Sequence, residues 1–332
     1  MRKCCFIIPY FGKLPNYFQL FLKSCEYNLD FNWLLFTNDE TLYDFPNNVR
    51  KISMSFSELQ VLVQSKFDFP VSLNRPYKLC DFKPAYGYIF EEYLNDYESW
   101  GHCDVDIVLG KISNYITDEM LYKYDKLFCL GHFIIYRNTY ENNRLFMSEY
   151  NGSLLYKNVF SSSDIFIFDE EFRNKNNINQ IFIQKGKNVF QEDFSLNISI
   201  FSKKFLRVKF LGTQAGYRNA YYVETPRDSM CVWHDGKIYR YLKEDNSLVC
   251  DEYMYIHLQQ RRMSVKKNVI NAKYIHIIPN AFRILESLPK DISDMEKVKK
   301  STWCFHRTRL MYNNYKKRFK NKCDRIVKFI IK

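Results

Sequence analysis

The stretch that organises this chain is Trp100-Gly-His-Cys-Asp-Val-Asp-Ile-Val-Leu-Gly110. Asp104 and Asp106 are two residues apart, so on an extended strand end their side chains share one face. Val105 points to the opposite face, and residues 107–109 continue as an apolar run that we expect to be buried. Two neighbouring carboxylates repel each other unless a cation lies between them, and Mg²⁺ or Mn²⁺ bound to diphosphate oxygens suits such a pair. The alternative is a solvated Asp-x-Asp turn.

The residues before this stretch predict a strand–helix–strand opening. Residues 4–9 form an apolar run that ends in a turn at 9–12, residues 15–27 have helical spacing, and residues 33–37 form a second apolar run. This order is typical of an α/β fold with a mostly parallel, twisted sheet flanked by helices. Ligands bind beyond the carboxyl ends of such strands, which places Pro9, Tyr10 and Asp39 at the expected ligand edge. A turn cap is the alternative role for Asp39.

Size and composition are those of a globular protein. The chain has 332 residues, of which 46% are hydrophobic and 26% charged, and this balance excludes a disordered chain. Its ten cysteines include no Cys-x-x-Cys pair, which argues against a zinc ribbon or a disulfide framework. The apolar run before Pro9 is shorter than the core of a signal peptide, and no segment reaches about eighteen apolar residues. We therefore expect a cytoplasmic protein.

The net charge of +12 lies at the C-terminal end of the chain. Residues 297–332 contain thirteen Lys or Arg and one acid, whereas the first 296 residues contain 36 basic and 36 acidic residues. Apolar side chains recur there every three or four residues, which predicts a basic amphipathic helix that binds an anionic membrane surface. Nucleic acid is the rival partner, but it gives the apolar stripe no role, so none is expected. Packing against the body is the other alternative. The stripe consists of Tyr312, Tyr315, Phe319, Cys323, Ile326 and Ile330.

Further polar residues lie beside predicted element ends. Asp81 and Lys83 stand among aromatic residues immediately before a predicted helix that begins near Pro84, and Lys83 suits a phosphate or an acidic partner. A surface cap is the alternative. A short alternating strand over residues 164–168 is expected to deliver Asp169 and Glu170, with a solvated acidic loop as the alternative.

Two histidines lie on predicted strands in the C-terminal half. Residues 230–241 predict a hairpin that turns at Asp235-Gly236, with His234 near its tip. Residues 252–263 predict a strand that carries His257 between apolar neighbours. A buried core histidine is the alternative for either residue.

Four separated blocks, taken in order, resemble a known bacterial family. They span roughly residues 4–263 and are similar to polysaccharide-type glycosyltransferases with the GT-A fold and a DxD motif. The resemblance implies transfer of a sugar from a nucleotide donor, commonly a UDP-sugar, with Mn²⁺ or Mg²⁺, in the synthesis of capsule or other surface glycans. The acceptor is then a glycan or a lipid-linked glycan. The blocks are Lys78-Leu-Cys-Asp-Phe-Lys-Pro-Ala-Tyr-Gly87, the stretch at 100–110, Gly131-His-Phe-Ile-Ile-Tyr-Arg-Asn138 and Tyr255-Ile-His-Leu-Gln-Gln-Arg261.

The resemblance also implies roles for individual residues. Asp106 is expected to bind the metal ion, and Asp104 to contact the metal ion or the donor ribose. A C-terminal histidine often completes such a site, and His257 is favoured over His234 because it lies in one of the four blocks. The other expected donor-site residues are Pro9, Tyr10, Asp39, Asp81 and Lys83, and the expected sugar-pocket residues are His132, Arg137 and Asn138.

The acceptor hydroxyl needs a base if the anomeric centre inverts. Asp169 and Glu170 are the first candidates and Asp193 is the second, whereas the sequence leaves inversion and retention open. Residues 1–265 are expected to form the glycosyltransferase domain, and residues 266–332 a helical, basic, membrane-associating extension. The protein is then expected at the inner face of the cell membrane.

Two other classes of protein remain as alternatives. Asp104-Val-Asp-Ile-Val108 also matches the Asp-x-Asp-x-Val motif of haloacid-dehalogenase-type phosphotransferases, in which the first Asp is the nucleophile. In this chain the motif follows a complete strand–helix–strand unit, and no later Asp-Asp or Gly-Asp-x-x-x-Asp motif follows it. A non-enzymatic membrane-binding or nucleic-acid-binding adaptor built on the basic tail leaves the paired aspartates unexplained.

Overall fold

The computed structural model describes residues 2–171, 175–198, 204–211, 221–259 and 261–298, with residues 308–309, 311–313, 315–316 and 319 of the tail. Its strands are β1 (Arg2–Pro9), β2 (Phe31–Thr37), β3 (Val49–Ser53), β4 (Tyr97–Cys103), β5 (Ile107–Leu109), β6 (Lys126–Leu127), β7 (Phe133–Arg137), β8 (Val189–Phe190), β9 (Ser195–Asn197), β10 (Leu206–Phe210), β11 (Tyr221–Val223), β12 (Ser229–His234), β13 (Lys237–Glu244), β14 (Ser247–Tyr253), β15 (Tyr255–His257), β16 (Ser264–Val265), β17 (Tyr274–Ile278) and β18 (Ala281–Leu285). Its α-helices are α1 (Phe18–Glu26), α2 (Phe56–Ser65), α3 (Leu79–Phe82), α4 (Tyr86–Ile89), α5 (Asp118–Lys123), α6 (Tyr140–Arg144), α7 (Leu155–Ser161), α8 (Ile178–Gln184) and α9 (Ile292–Lys297).

The main sheet has seven strands in the order β3-β2-β1-β4-β7-β6-β8. Strands β3, β2, β1 and β4 are parallel, β7 is antiparallel to both β4 and β6, and β8 is parallel to β6. The predicted opening is confirmed as β1, α1 and β2. The predicted α/β class, with a mostly parallel sheet flanked by helices, is confirmed as well.

The main sheet is buried on both faces, and the two-residue period of its strands divides its side chains between two cores. Cys5 and Ile7 of β1 join the core formed with α2, α3, α4, α7 and α8. Phe6 and Ile8 of the same strand join the core formed with α1 and α5. Strands buried on both faces read as continuous apolar runs, which is why the first strands were recognisable in the sequence.

Two smaller sheets complete the described part of the fold. One has the order β11-β10-β9-β15-β5, and the other the order β14-β13-β12-β17-β18-β16. The predicted hairpin is confirmed as β12 and β13, with Asp235 and Gly236 at φ values of 49° and 72°. Strands β17 and β18 follow residue 265 and extend the sheet begun by β12, while the division of the chain into 1–265 and 266–332 stays a prediction.

The strand predicted over residues 164–168 is wrong, because this segment is irregular in the structure. The amides of Phe166 and Phe168 donate to the carboxylate of Asp81 rather than to a neighbouring strand. Ile167 between them has a φ of 57°, in the left-handed region that β-branched residues rarely adopt. The segment is thus held by a buried side chain and not by a β-ladder.

Most of the predicted amphipathic tail lies outside the described residues. The described tail residues are helical, and Tyr312, Tyr315 and Phe319 among them are exposed. Among the described residues no helix is both long and apolar enough to cross a membrane.

Candidate active site

A cleft with a volume of about 990 Å³ opens at the carboxyl ends of β1 and β4. This is the edge at which ligands bind in parallel α/β sheets. Many of the residues predicted from the sequence line it together. They are Pro9, Tyr10, Lys83, Asp104, Asp106, His132, Asp169, Glu170 and His257.

Asp104, Asp106 and His257 form a cluster in this cleft. The three residues offer ligand atoms that all lie within 4.8 Å of one another. His257 Nε2 lies 3.6 Å from Asp106 Oδ1 and 3.9 Å from Asp104 Oδ2. Two carboxylate oxygens and one imidazole nitrogen at this spacing form a possible binding group for a divalent cation.

Strand pairing brings His257 to the two aspartates across 150 residues of sequence. β15 is antiparallel to β5, with His257 opposite Ile107, and the amide of Leu258 donates to the carbonyl of Asp106 at 2.8 Å. Burial lowers the pKa of His257, but the negative charges of Asp106 and Asp104 outweigh burial. The pKa of His257 therefore lies above its ordinary value, which reflects the negative potential of the cluster.

Lys83 connects this cluster to the acids at residues 169–170. Its Nζ lies 2.8 Å from Asp104 Oδ1 and 3.3 Å from Asp169 Oδ2, and it donates to the carbonyl of Gly131 at 2.8 Å. Burial lowers the pKa of Lys83, but the charges of Asp104 and Asp169 outweigh burial and hold that pKa well above its ordinary value. Lys83 therefore stays protonated between the two carboxylates.

Asp169 and Glu170 lie beside the turn that ends at β7. The amide of Gly131 donates to Glu170 Oε2 at 3.3 Å, and a Cβ at position 131 would lie only 2.3 Å from Asp169 Oδ2. Burial raises the pKa of Asp169, Lys83 opposes this shift, and the charges of Glu170 and Asp104 add to it. A buried carboxyl with a raised pKa, within reach of a cleft, is suited to proton transfer.

Asp39 and Asp81 do not line the cleft, although both were predicted to contact the donor. Asp39 accepts hydrogen bonds from the amides of Leu14 and Thr41 at 2.8 Å and 2.9 Å, so it holds the loop after β2. Asp81 is fully buried and forms an ion pair with Lys78 at 2.8 Å. Both carboxylates are occupied by contacts within the protein.

The structure separates the remaining predicted residues. His234 lies at the hairpin tip, where its Nδ1 is 3.0 Å from the carbonyl of Lys273. Arg137 pairs with Asp125, and Asn138 donates to the carbonyls of Leu94 and Tyr97, at the opposite end of β7 from the cleft.

His132 lies in the cleft against His257. Its ring centroid is 4.4 Å from that of His257, and its Nδ1 is 2.7 Å from the hydroxyl of Tyr255. Burial, the charge of His257 and the charge of Lys83 all hold the pKa of His132 well below its ordinary value. His132 is therefore a neutral side chain that supports the ring of His257.

Residues 6–286 match the model of a family of unknown function, DUF6625. The chain belongs to this family.

No curated protein matches this DUF6625 chain. Among solved structures it is similar to the galactosyltransferase LgtC in complex with donor and acceptor sugar analogs, with 9% identity over 59% of this chain and 77% of that chain and a TM-score of 0.34. It is also similar to an active-site mutant of LgtC, with 10% identity over 65% of this chain and 82% of that chain and a TM-score of 0.35. Likeness at this level assigns no role to any residue, so the roles proposed below rest on this chain's own geometry.

Sequence reasoning missed several residues of the site in this DUF6625 member. Tyr77, His102 and Arg262 line the cleft, and His102 is buried with no hydrogen-bond partner for either ring nitrogen among the described residues. Asn197 contacts His257 from β9. The alternation of Asp193, Ser195 and Asn197 places them on one face of an extended segment, and this pattern could have pointed to the last two.

Proposed function

We propose that this chain is a metal-dependent glycosyltransferase that uses a nucleotide-sugar donor. The observation that carries this proposal is the Asp104–Asp106–His257 cluster in a large cleft at the carboxyl edge of a parallel sheet. Asp104, Asp106, Asp169 and Glu170 line this cleft together with four basic side chains, those of Lys13, Lys83, Arg261 and Arg262. Such a site is suited to a cation and to the diphosphate that the cation holds.

The donor atoms of the cluster fit Mn²⁺ or Mg²⁺. Carboxylate oxygens suit both ions, and the imidazole of His257 favours Mn²⁺ of the two. When bound, the ion supplies Lewis-acid stabilisation of the diphosphate that leaves the donor sugar. In this proposal Asp106 and His257 bind the ion, and Asp104 contacts the ion or the donor ribose.

The donor is proposed to enter along the first strand. Pro9 ends β1 and Tyr10 follows it, and both line the cleft, where they could contact the nucleoside, for which uridine is the proposed base. Lys13 and Arg262 are exposed basic side chains that also line the cleft, and they are suited to diphosphate oxygens.

Asp169 and Glu170 are the proposed groups at the acceptor. Asp169 accepts the proton of the acceptor hydroxyl if the reaction inverts the anomeric centre, and Lys83 holds its carboxylate in place at 3.3 Å. Glu170 is less buried and could orient the same hydroxyl.

The acceptor is proposed to be a glycan or a lipid-linked glycan of a bacterial surface polysaccharide. The thirteen basic residues after position 296 and their apolar stripe support binding to the inner face of the cell membrane. Deletion of residues 301–332 should release the protein from vesicles that contain anionic lipid and leave donor hydrolysis intact. Equal vesicle binding by the full and the shortened chain would remove the membrane role.

The decisive experiment measures thermal unfolding with a panel of nucleoside diphosphates, with and without Mn²⁺. A ligand that binds only the folded state stabilises it by about 2.7 kcal/mol at a hundredfold excess over its dissociation constant. We expect a shift with UDP plus Mn²⁺ that neither component gives alone. This shift should be absent in Asp106→Ala.

Asp30→Ala is the matched control, because Asp30 lies before β2 at the opposite edge of the sheet. It should keep the shift of the wild-type protein. No shift with any nucleotide in the wild-type protein would contradict the transferase proposal.

A further inference from the structure

A chain of hydrogen bonds reaches the proposed metal site from β9. Asn197 Oδ1 lies 2.8 Å from His257 Nδ1, and Asn197 Nδ2 donates to Ser195 Oγ at 2.7 Å. The hydroxyl of Ser195 donates to Asp193 Oδ1, which also accepts the amide of Ser195 at 2.8 Å. We call Asp193, Ser195, Asn197 and His257 the β9 hydrogen-bond chain.

The order of donors fixes the orientation of the Asn197 amide. Ser195 has one hydroxyl hydrogen and gives it to Asp193, so its oxygen accepts from Asn197 and the NH₂ group of Asn197 must face Ser195. The carbonyl oxygen of Asn197 then faces His257. Because that oxygen only accepts, His257 Nδ1 must carry a hydrogen.

This orientation determines the state of the other ring nitrogen. With the hydrogen on Nδ1, the neutral ring of His257 has its lone pair on Nε2, the atom that faces Asp106 and Asp104 at 3.6 Å and 3.9 Å. Metal-binding histidines commonly donate their second N–H to a fixed acceptor, which sets the tautomer and the ring orientation.

Strand register holds the β9 hydrogen-bond chain in place. β9 and β15 are parallel neighbours, with Ser195 opposite Tyr255 and Asn197 opposite His257. Ser195 and Asp193 are buried, so their contacts are shielded from competing water. β5 pairs with the other edge of β15, and the aspartates therefore face His257 from the side opposite Asn197.

We propose that Asn197 is a positioning residue that fixes His257 in the Nδ1–H tautomer and so directs its Nε2 to a divalent cation held with Asp104 and Asp106. This inference rests on the proposed metal site but assigns a function to residues outside it. Asn197 itself touches neither substrate nor ion in this proposal.

The first test measures the dissociation constant of Mn²⁺ alone, without nucleotide, by the electron paramagnetic resonance of free Mn²⁺. Asn197→Leu keeps the size of the side chain and removes the acceptor, and it should weaken Mn²⁺ binding about 10- to 100-fold. Asn197→Asp restores an acceptor for Nδ1–H and should bind Mn²⁺ within about threefold of the wild-type protein. If Asn197 only supported the fold, Mn²⁺ affinity would not depend on whether residue 197 offers an acceptor to His257 Nδ1–H.

The second test reads the tautomer directly from ¹⁵N-histidine spectra of the full chain without metal, recorded at rising pH until the signal of His257 no longer changes and its ring is neutral. The chain has six histidines, and the spectrum of His257→Gln identifies the signal of His257. We expect the Nδ1–H form in the wild-type protein and a mixture in Ser195→Ala, in which the Asn197 amide is free to turn. This measurement does not use Asn197→Leu, so it tests the proposal even if that variant folds poorly.

The outcomes separate the two proposals. Wild-type affinity for Mn²⁺ in folded Asn197→Leu, or an Nε2–H signal for His257 in the wild-type protein, would overturn the positioning role and leave the metal site intact. If the wild-type protein does not bind Mn²⁺, or if Asp106→Ala binds it equally well, the metal site is overturned. The positioning role is then overturned with it.

Discussion

The ion pair of Lys78 and Asp81 is fully buried, and removing one partner should weaken the whole fold. Lys78 Nζ lies 2.8 Å from Asp81 Oδ2, and both side chains are 0% exposed. Lys78 also donates to the carbonyls of Val159 and Asp164, at 2.8 Å and 2.5 Å. The pair therefore joins α3 to α7 and to the segment that leads into Asp169.

The size of the effect follows from these contacts. Coulomb's law gives about 6 kcal/mol for unit charges 2.8 Å apart at an effective dielectric constant of about 20. Removal of one partner of a buried pair costs about 3–5 kcal/mol, because the remaining charge stays buried without compensation. Asp81 keeps the amides of Phe166 and Phe168, so we expect Lys78→Met to lower the free energy of unfolding by about 3 kcal/mol.

Urea unfolding of four proteins measures this effect. The set is the wild-type protein, Lys78→Met, Asp81→Asn and the double variant, in which two neutral side chains meet. The double variant should be more stable than the sum of the two single changes predicts, by about 1–2 kcal/mol. Lys297→Met is the matched control, because Lys297 and Asp294 form an exposed pair at the same spacing, and it should leave the urea midpoint unchanged.

A loss below about 1 kcal/mol in Lys78→Met would refute the reasoning, because removal of one partner of a buried ion pair typically costs about 3–5 kcal/mol. The same variants address the donor-site role predicted for Asp81. If Asp81 acts only through the fold, UDP should bind the folded Asp81→Asn protein with unchanged affinity at low temperature. A large loss of UDP affinity in a stable Asp81→Asn protein would support the donor-site role predicted for Asp81.

Three further changes have defined outcomes. Gly131→Ala places a Cβ 2.3 Å from Asp169 Oδ2, so turnover should fall at least about tenfold while the Mn²⁺ dissociation constant is retained; equal turnover would argue against Asp169 as the base. Burial raises the pKa of Asp193 from 3.8 to about 6, so its contribution to stability is present below pH 4 and is lost as the pH rises to about 6. Asp193→Asn should remove up to about 3 kcal/mol of this dependence in urea unfolding at a series of pH values, and an unchanged pH profile would contradict the shift. Ser55 caps α2 and exchanges hydrogen bonds with Glu58, so Ser55→Ala should cost about 1 kcal/mol in urea unfolding, and no loss would show that water replaces the cap.

Local pattern predicted the parts of the fold that depend on local burial. The apolar runs at β1 and β2 and the helical spacing of α1 identified the opening unit, because strands covered on both faces contain few polar residues. The hairpin at Asp235-Gly236 was recognisable because both turn residues adopt positive φ, which Asp and Gly tolerate better than most residues. The spacing of Asp104 and Asp106 at the end of a strand predicted that their carboxylates lie close together, and they do so in the cluster with His257.

Pattern failed where a distant side chain determines the backbone. The sequence pattern of residues 164–168 predicts a short strand. However, two backbone amides of this segment donate hydrogen bonds to Asp81, which lies more than eighty positions earlier in the sequence. The same contact holds the Asp81 carboxylate in the interior, and sequence does not show whether an acid before a helix faces solvent or the interior. Asp39 was predicted to lie at the ligand edge, and in the structure its carboxylate accepts hydrogen bonds from the amides of Leu14 and Thr41.

Local sequence does not distinguish His257 from His234 as the histidine beside the two aspartates, whereas the order of the strands does. Both residues follow apolar neighbours on strands, so composition and spacing treat them alike. β15 lies between β5 and β9, which gives His257 carboxylates on one side and the amide of Asn197 on the other. β12 lies between β13 and β17, and His234 therefore contacts the carbonyl of Lys273 rather than the two aspartates. Strand order therefore selects the third member of the cluster, and a side-chain period of two means that a one-residue slip of β15 would turn His257 away from both aspartates.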